Sequence, residues 1–209
     1  MKNKQVIIIV FGVLALAALA CGTSDDVVVR EPSVSDEVSS QVTENSNEIV
    51  ESTPKPTATK KVGTARSNPA PAGSEIIVGD VSLQILDAIR PANDIVMAAD
   101  SYNKMPEDGY EYIILEIKMT CELGSDYECS VYPFVYFTII GNSGVVTDPD
   151  YRVDEIDGSF ERMDTKFYGG TTIIGKLTFI ISVDETDMLL VYDKTYSSQD
   201  PVYLEIPVD

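Results

Sequence analysis

From Tyr110 to Thr120 the chain reads YEYIILEIKMT, with Ile113, Leu115, Ile117 and Met119 on one side and Glu116 and Lys118 on the other. Alternation with a period of two suits a half-buried strand, where successive side chains point to opposite faces; a helix would scatter these residues around its axis. The same pattern recurs. Val81, Leu83 and Ile85 are in register within Ile76 to Ile89, and Val135, Phe137 and Ile139 alternate within Ser130 to Ile140. The latter segment runs into Gly141-Asn142-Ser143-Gly144, a turn sequence. Leu177, Phe179 and Ile181 alternate within Thr171 to Val183, and Met188 to Tyr192 and Val202 to Ile206 close the chain. No window carries helical periodicity beyond about three turns. About seven strands in the stretch 75–209 predict an all-β domain, a two-sheet antiparallel sandwich.

The chain ahead of that domain has a different character. Lys2 and Lys4 precede an apolar run, Val6 to Ala20, of 15 residues. A membrane-spanning helix needs about 20, so the run reads as a secretory signal over residues 1–20. It ends Ala18-Leu19-Ala20-Cys21-Gly22, which resembles a bacterial lipobox. That resemblance implies cleavage before Cys21 and a diacylglyceryl group on its sulfur, leaving the mature chain anchored in the membrane on the extracytoplasmic face. Residues 21–74 then read as a lipidated cysteine and a disordered linker. The 53 residues from Gly22 to Ser74 hold 15 Ser or Thr, five Pro and no aromatic residue. A chain of this kind buries too little apolar surface to offset its ordering entropy. Fully extended it would reach at most ~180 Å.

Several segments of the β-region also carry a family resemblance. Val78-Gly79-Asp80 opens the domain, and Tyr110 to Ile117 resembles a polar edge followed by a long apolar strand. Phe137-Thr138-Ile139 with Gly144, then Gly170, Gly175, Leu177 and Phe179, then Leu190-Val191-Tyr192, complete the set. Spread over residues 76–208, these blocks resemble the telokin-like, immunoglobulin-fold domain of bacterial lipoproteins, domain-of-unknown-function family 4352. The resemblance implies an immunoglobulin-like sandwich on a lipoprotein and carries no reaction. The segment Cys121 to Cys129 departs from it, since the family has a short Asn-containing turn there.

Composition removes whole classes of function. There is no histidine, which excludes Ser-His and Cys-His couples and His-ligated zinc. The net charge is −19, which opposes binding to nucleic acid. Gly170 to Leu177 nearly spells a phosphate-binding loop, but Leu177 stands where Ser or Thr would hold Mg²⁺, and a strand pattern follows where a helix is needed. Ser101-Tyr102-Asn103-Lys104 matches Ser-x-x-Lys without its partner motifs and reads as a surface loop. No cofactor motif and no catalytic set stands out, so the chain is not expected to be an enzyme.

Three features remain as site candidates. Asp148, Asp150, Asp154, Glu155 and Asp157 crowd one loop with Arg152 among them. Ca²⁺ uses about six to eight oxygen ligands from such loops, although the spacing is not that of an EF-hand, and a solvated acidic loop is the plainer reading. Tyr127, Tyr132 and Tyr151 offer a surface for a sugar or peptide if exposed. Acylation of Cys21 leaves Cys121 and Cys129 as an even pair in an oxidising compartment, with seven residues between them at the ends of two strands. That arrangement predicts a disulfide. Two free thiols or a soft-metal pair are the alternatives, and two ligands without histidine make a poor zinc site. The expectation is a membrane-anchored, extracytoplasmic, non-catalytic binding module with a protein or small-ligand partner. A substrate-capture accessory to a transporter or envelope enzyme, and a structural spacer, are the alternatives.

Overall fold

The computed structural model describes residues 28–30, 61–153, 156–194 and 197–207. Cys21, the apolar run before it and most of the assigned linker lie outside these residues, as do Asp154 and Glu155 of the acidic loop. In chain order the elements are β1 (Val28–Arg30), β2 (Glu75–Val78), β3 (Val81–Ile89), α1 (Asn93–Ala99), β4 (Tyr110–Cys121), β5 (Glu128–Val131), α2 (Pro133–Tyr136), β6 (Phe137–Ile140), β7 (Val146–Thr147), β8 (Thr165–Tyr168), β9 (Thr172–Ser182), β10 (Leu189–Tyr192) and β11 (Val202–Glu205).

The alternating run becomes β4, the centre of the frame. It pairs with β9 from Tyr110↔Ser182 to Thr120↔Thr172 without a break, and with β3 on its other side. The five-stranded sheet runs β1-β2-β3-β4-β9 and the four-stranded sheet β11-β10-β6-β7, with β5-β8 as a separate pair. Every strand pairing is antiparallel. One core joins the sheets. Leu83, Ile85, Ile113, Leu115, Ile117, Leu177 and Phe179 from the first meet Phe137, Ile139, Leu190, Tyr192, Val202 and Leu204 from the second. The β-sandwich expected from the pattern is therefore the fold observed, with more and shorter strands.

Three departures have physical causes. Ser130 to Ile140 is not one strand: Pro133 lacks the N–H a ladder needs and starts the short helix α2 instead. Val135, expected inside, is consequently 58% exposed. The outer face of β4 is also not uniformly wet. Tyr112 and Ile114 are buried with Ala92, Val96 and Ile156 in a second cluster beneath α1. A register shift between Ile85 and Asp87 turns the end of β3, and Ile89 packs against that cluster.

The third departure concerns the linker. Residues 61–74, assigned to it by composition, belong to the folded unit. Ala70 N–H donates to the Tyr203 carbonyl at 2.8 Å, Glu205 N–H to the Ala70 carbonyl at 2.9 Å, and Tyr203 N–H to the Gly63 carbonyl at 2.8 Å. Ala65, Ala70 and Ser74 are buried. Small side chains let this segment lie close along β11, an association that shows no apolar period. Val28–Arg30, also within the assigned linker, pairs with β2 as the edge of the five-stranded sheet.

Candidate functional site

Cys121 ends β4 and Cys129 lies in β5, and the two are bonded with S–S 2.03 Å and Cα–Cα 5.8 Å. Both are buried, and the bond ties the β5-β8 pair to the end of the large sheet. The enclosed loop is held by its backbone as well. Glu122 N–H donates to the Asp80 carbonyl at 2.9 Å and Gly169 N–H to the Tyr127 carbonyl at 2.9 Å. A side chain at Gly169 would place its Cβ 2.1 Å from the Gly124 carbonyl oxygen, so only glycine permits this approach. Beside the loop, Lys194 Nζ and Asp80 Oδ1 form an ion pair at 3.0 Å. The rings of Tyr132, Tyr136 and Tyr192 stack edge to face at 5.5 and 6.0 Å. Burial pushes the Tyr192 hydroxyl far above its ordinary range, and Asp80 adds to the effect, so this phenol stays neutral.

At the opposite edge of the sandwich, Gly158, Phe160 and Asp150 bond to the backbone of Lys176 and Thr178. Strand β9 closes the five-stranded sheet there and β7 the four-stranded one. Two clefts lie between them. The first, about 530 Å³, is lined by Phe134, Val135, Thr147, Asp148, Pro149, Asp150, Tyr151, Arg152 and Ile180. The second, about 300 Å³, takes in Tyr110, Ser143, Val145, Ile181, Asp184 and Glu185, and shares Thr147 and Ile180 with the first. The shared residues make them one groove. Its lining carries exposed apolar groups, Val135, Val145 and Tyr151. Exposed apolar side chains grouped along a concave edge are the usual mark of an interaction surface.

Part of the acidic loop borders this groove. Asp150 accepts from Arg152 through Nε at 2.8 Å, Nη2 at 2.9 Å and the backbone N–H at 3.0 Å. Burial alone would raise its carboxyl, but the Arg152 bonds outweigh that and hold it below the usual range. Asp150 N–H in turn donates to the Thr178 carbonyl at 2.7 Å, fastening the loop to β9. Asp150 is therefore committed to Arg152. Among the described residues no three acidic side chains come together as a cation site, and Asp148, Asp150 and Asp157 form none between them.

The other marked segments resolve as structure. Thr172–Ser182 is strand where a phosphate loop requires a helix. Lys176 Nζ donates to the Asp157 carbonyl at 3.0 Å, and Gly175 lies against Phe160, whose ring a Cβ would meet at 2.4 Å. Ser101 and Tyr102 are exposed after α1, while Asn103 is buried and donates through Nδ2 to the Val96 carbonyl at 2.8 Å. Tyr127, Tyr132 and Tyr151 are all exposed, but they do not form one surface: Tyr127 sits in the disulfide loop and Tyr151 in the groove. Sequence reasoning missed Ile180, Asp184 and Glu185. The doublet Ile180-Ile181 was a usable signal, because adjacent apolar residues in a strand place one on each face.

No protein-family model matches the chain, and no curated protein does. Among solved structures, the Bacillus subtilis protein ycdA, described as "a putative lipoprotein", aligns over 60% of this chain at 13% identity with a TM-score of 0.46. This chain spans 36% of the length of ycdA. The Bacillus subtilis yjhA protein aligns over 66% of this chain and 98% of its own at 15% identity, TM-score 0.42. A functionally unknown protein of Listeria monocytogenes aligns over 71% of this chain and 94% of its own at 16% identity, TM-score 0.41. Values of this size assign neither a family nor an activity. Among the described residues no helix is long and apolar enough to cross a membrane.

Proposed function

We propose that the chain is a membrane-anchored, extracytoplasmic lipoprotein of the telokin-like type, held by an acylated Cys21, whose sandwich is a non-catalytic binding module. The observation that carries the binding role is the groove between β7 and β9. It joins exposed apolar groups to the carboxylates of Asp148 and Asp184, beside the stretch of β9 that the 150–160 loop fastens. The chain carries a net charge of −19, so the groove favours a ligand combining positive charge with apolar groups, such as a basic peptide segment. Transporter accessory and structural spacer remain the competing roles. The lipobox supports the anchor, and the five sequence blocks support the family assignment.

Binding is tested on residues 22–209, which lack the apolar run and Cys21. The protein contains no tryptophan, so a Lys/Leu peptide bearing one Trp reports its own capture by anisotropy. The expected result is that this peptide binds, its Glu/Leu counterpart does not, and Asp148→Asn with Asp184→Asn weakens binding at least fivefold. The off-groove pair Asp87→Asn and Asp94→Asn should leave it unchanged. Equal losses from both pairs would reduce the effect to overall charge and remove the groove from the account.

A further inference from the structure

Strand β1 enters the fold seven residues after Cys21. It pairs with β2 in the register Val28↔Ile77, Val29↔Ile76 and Arg30↔Glu75. More than backbone holds Val29 and Arg30. Val29 packs against the main core. Arg30 Nη1 donates to Glu75 Oε2 at 2.9 Å, and the other Glu75 oxygen takes Lys118 Nζ at 3.0 Å. The local sequence favours pairing here, since Val28 and Val29 are β-branched.

The cross-strand register locates this entry point relative to the groove. Val28 opposes Ile77, Ile77 opposes Ser82, Ser82 opposes Thr120 and Thr120 opposes Thr172. That row crosses the whole five-stranded sheet at the end bearing the β2–β3 turn and the disulfide. Tyr110 and Ser182, which line the groove, are opposed at the other end of β4 and β9. Four strand spacings of about 4.8 Å and ten residues of about 3.3 Å put them about 38 Å from Val28, at the diagonal corner.

We infer that β1 is a clasp that orients the groove. Given an acylated Cys21, on which this inference rests, the docked clasp holds the β1 edge and the disulfide end toward the bilayer, and the groove faces away from it. Residues 22–27 are all that separates anchor from clasp, and six residues reach at most about 22 Å. With β1 released, the next described residue is Lys61. The intervening 39 residues then reach at most about 140 Å, and orientation is lost. The partner of the β2 edge is thus this chain's own Val28–Arg30.

The test uses the full-length lipidated protein in vesicles containing an acceptor lipid, with a fluorescent amino acid at Tyr127 in the disulfide loop or at Val145 in the groove. Energy transfer should be at least threefold stronger from Tyr127 than from Val145. Val29→Pro, and separately Arg30→Glu, should bring that ratio near one. Hydrogen exchange on the same samples should show the segment 75–78 exchanging at least tenfold faster in either variant, with 113–119 unchanged. Equal transfer from both positions in the wild-type protein, while 28–30 stays protected, overturns the orientation. Exchange of 28–30 at free-chain rates overturns the clasp. Protein that fails to float with the vesicles refutes the anchor and the orientation together, and the exchange measurement then decides the clasp alone.

Discussion

Removing the Cys121–Cys129 bond gives the most calculable response. The bond closes a short loop, with a sequence separation of eight. The chain-entropy relation assigns so short a loop about 2.5 kcal/mol of stabilisation at 25 °C. For a domain of this size, about 3 °C in melting temperature accompanies each kcal/mol. Cys121→Ala with Cys129→Ala should therefore lower the midpoint by about 8 °C. Both sulfurs are buried, so alanine also leaves a small void and the loss should not be smaller than this. The assay is thermal unfolding by circular dichroism, with the reduced wild-type protein alongside. The response should be local. Residues 122–131 and β8 should exchange faster, because the bond ties the β5-β8 pair to the frame, while β3 and β4 keep their protection. A shift below about 2 °C, or faster exchange spread evenly through β4, would refute the reasoning that the bond acts by restraining this loop.

Three further outcomes follow from individual contacts. Gly175→Ala places a Cβ 2.4 Å from the Phe160 ring, and overpacking of this kind should cost about 1–3 kcal/mol in denaturant unfolding; adding Phe160→Ala should recover part of the loss. Glu75 and Asp150 both titrate below their ordinary 4.5 and 3.8, because ion-pair bonds to Lys118 and Arg30, and to Arg152, outweigh burial. Their contribution is then complete above those ordinary values and fades as pH falls through the lowered ones, so the melting temperature should decline from about pH 4.5 downward, less steeply in Glu75→Gln. The net charge of −19 should make the melting temperature rise modestly with NaCl as like charges are screened, and CaCl₂ should add nothing beyond MgCl₂ at equal ionic strength.

The sandwich was readable because β4, β9 and β3 each bury one face against a single core, which writes a period of two into the chain. The disulfide was readable for a similar reason: its cysteines close the gap between two strands adjacent in sequence. What the pattern could not carry was contact made without periodicity. Residues 61–74 bind β11 through backbone groups and small side chains, a signature that composition cannot separate from a linker. Val28–Arg30 contributes three residues to an edge, too few to show alternation. Tyr112 and Ile114 alternate with Ile113 and Leu115 on the face of Glu116 and Lys118, and only α1, itself seven residues long, shows why they are apolar. The groove draws on α2, β7, β9 and two turns, so no one segment announces it. Pro133 was the exception, a breaker in plain view inside a stretch whose apolar spacing argued for a continuous strand.

The central claim, that an anchored module receives its partner in the β7/β9 groove, is tested most directly by photo-crosslinking in living cells. A photoreactive amino acid replaces Val145 in the groove or, as the control, Leu86 on the outer face of β3; both positions are exposed. In the full-length chain retained at the membrane, Val145 should give a discrete adduct that Asp148→Asn with Asp184→Asn diminishes, and Leu86 should give none. Equal labelling from the two positions, or no adduct from Val145 in membrane-bound protein, would contradict the claim.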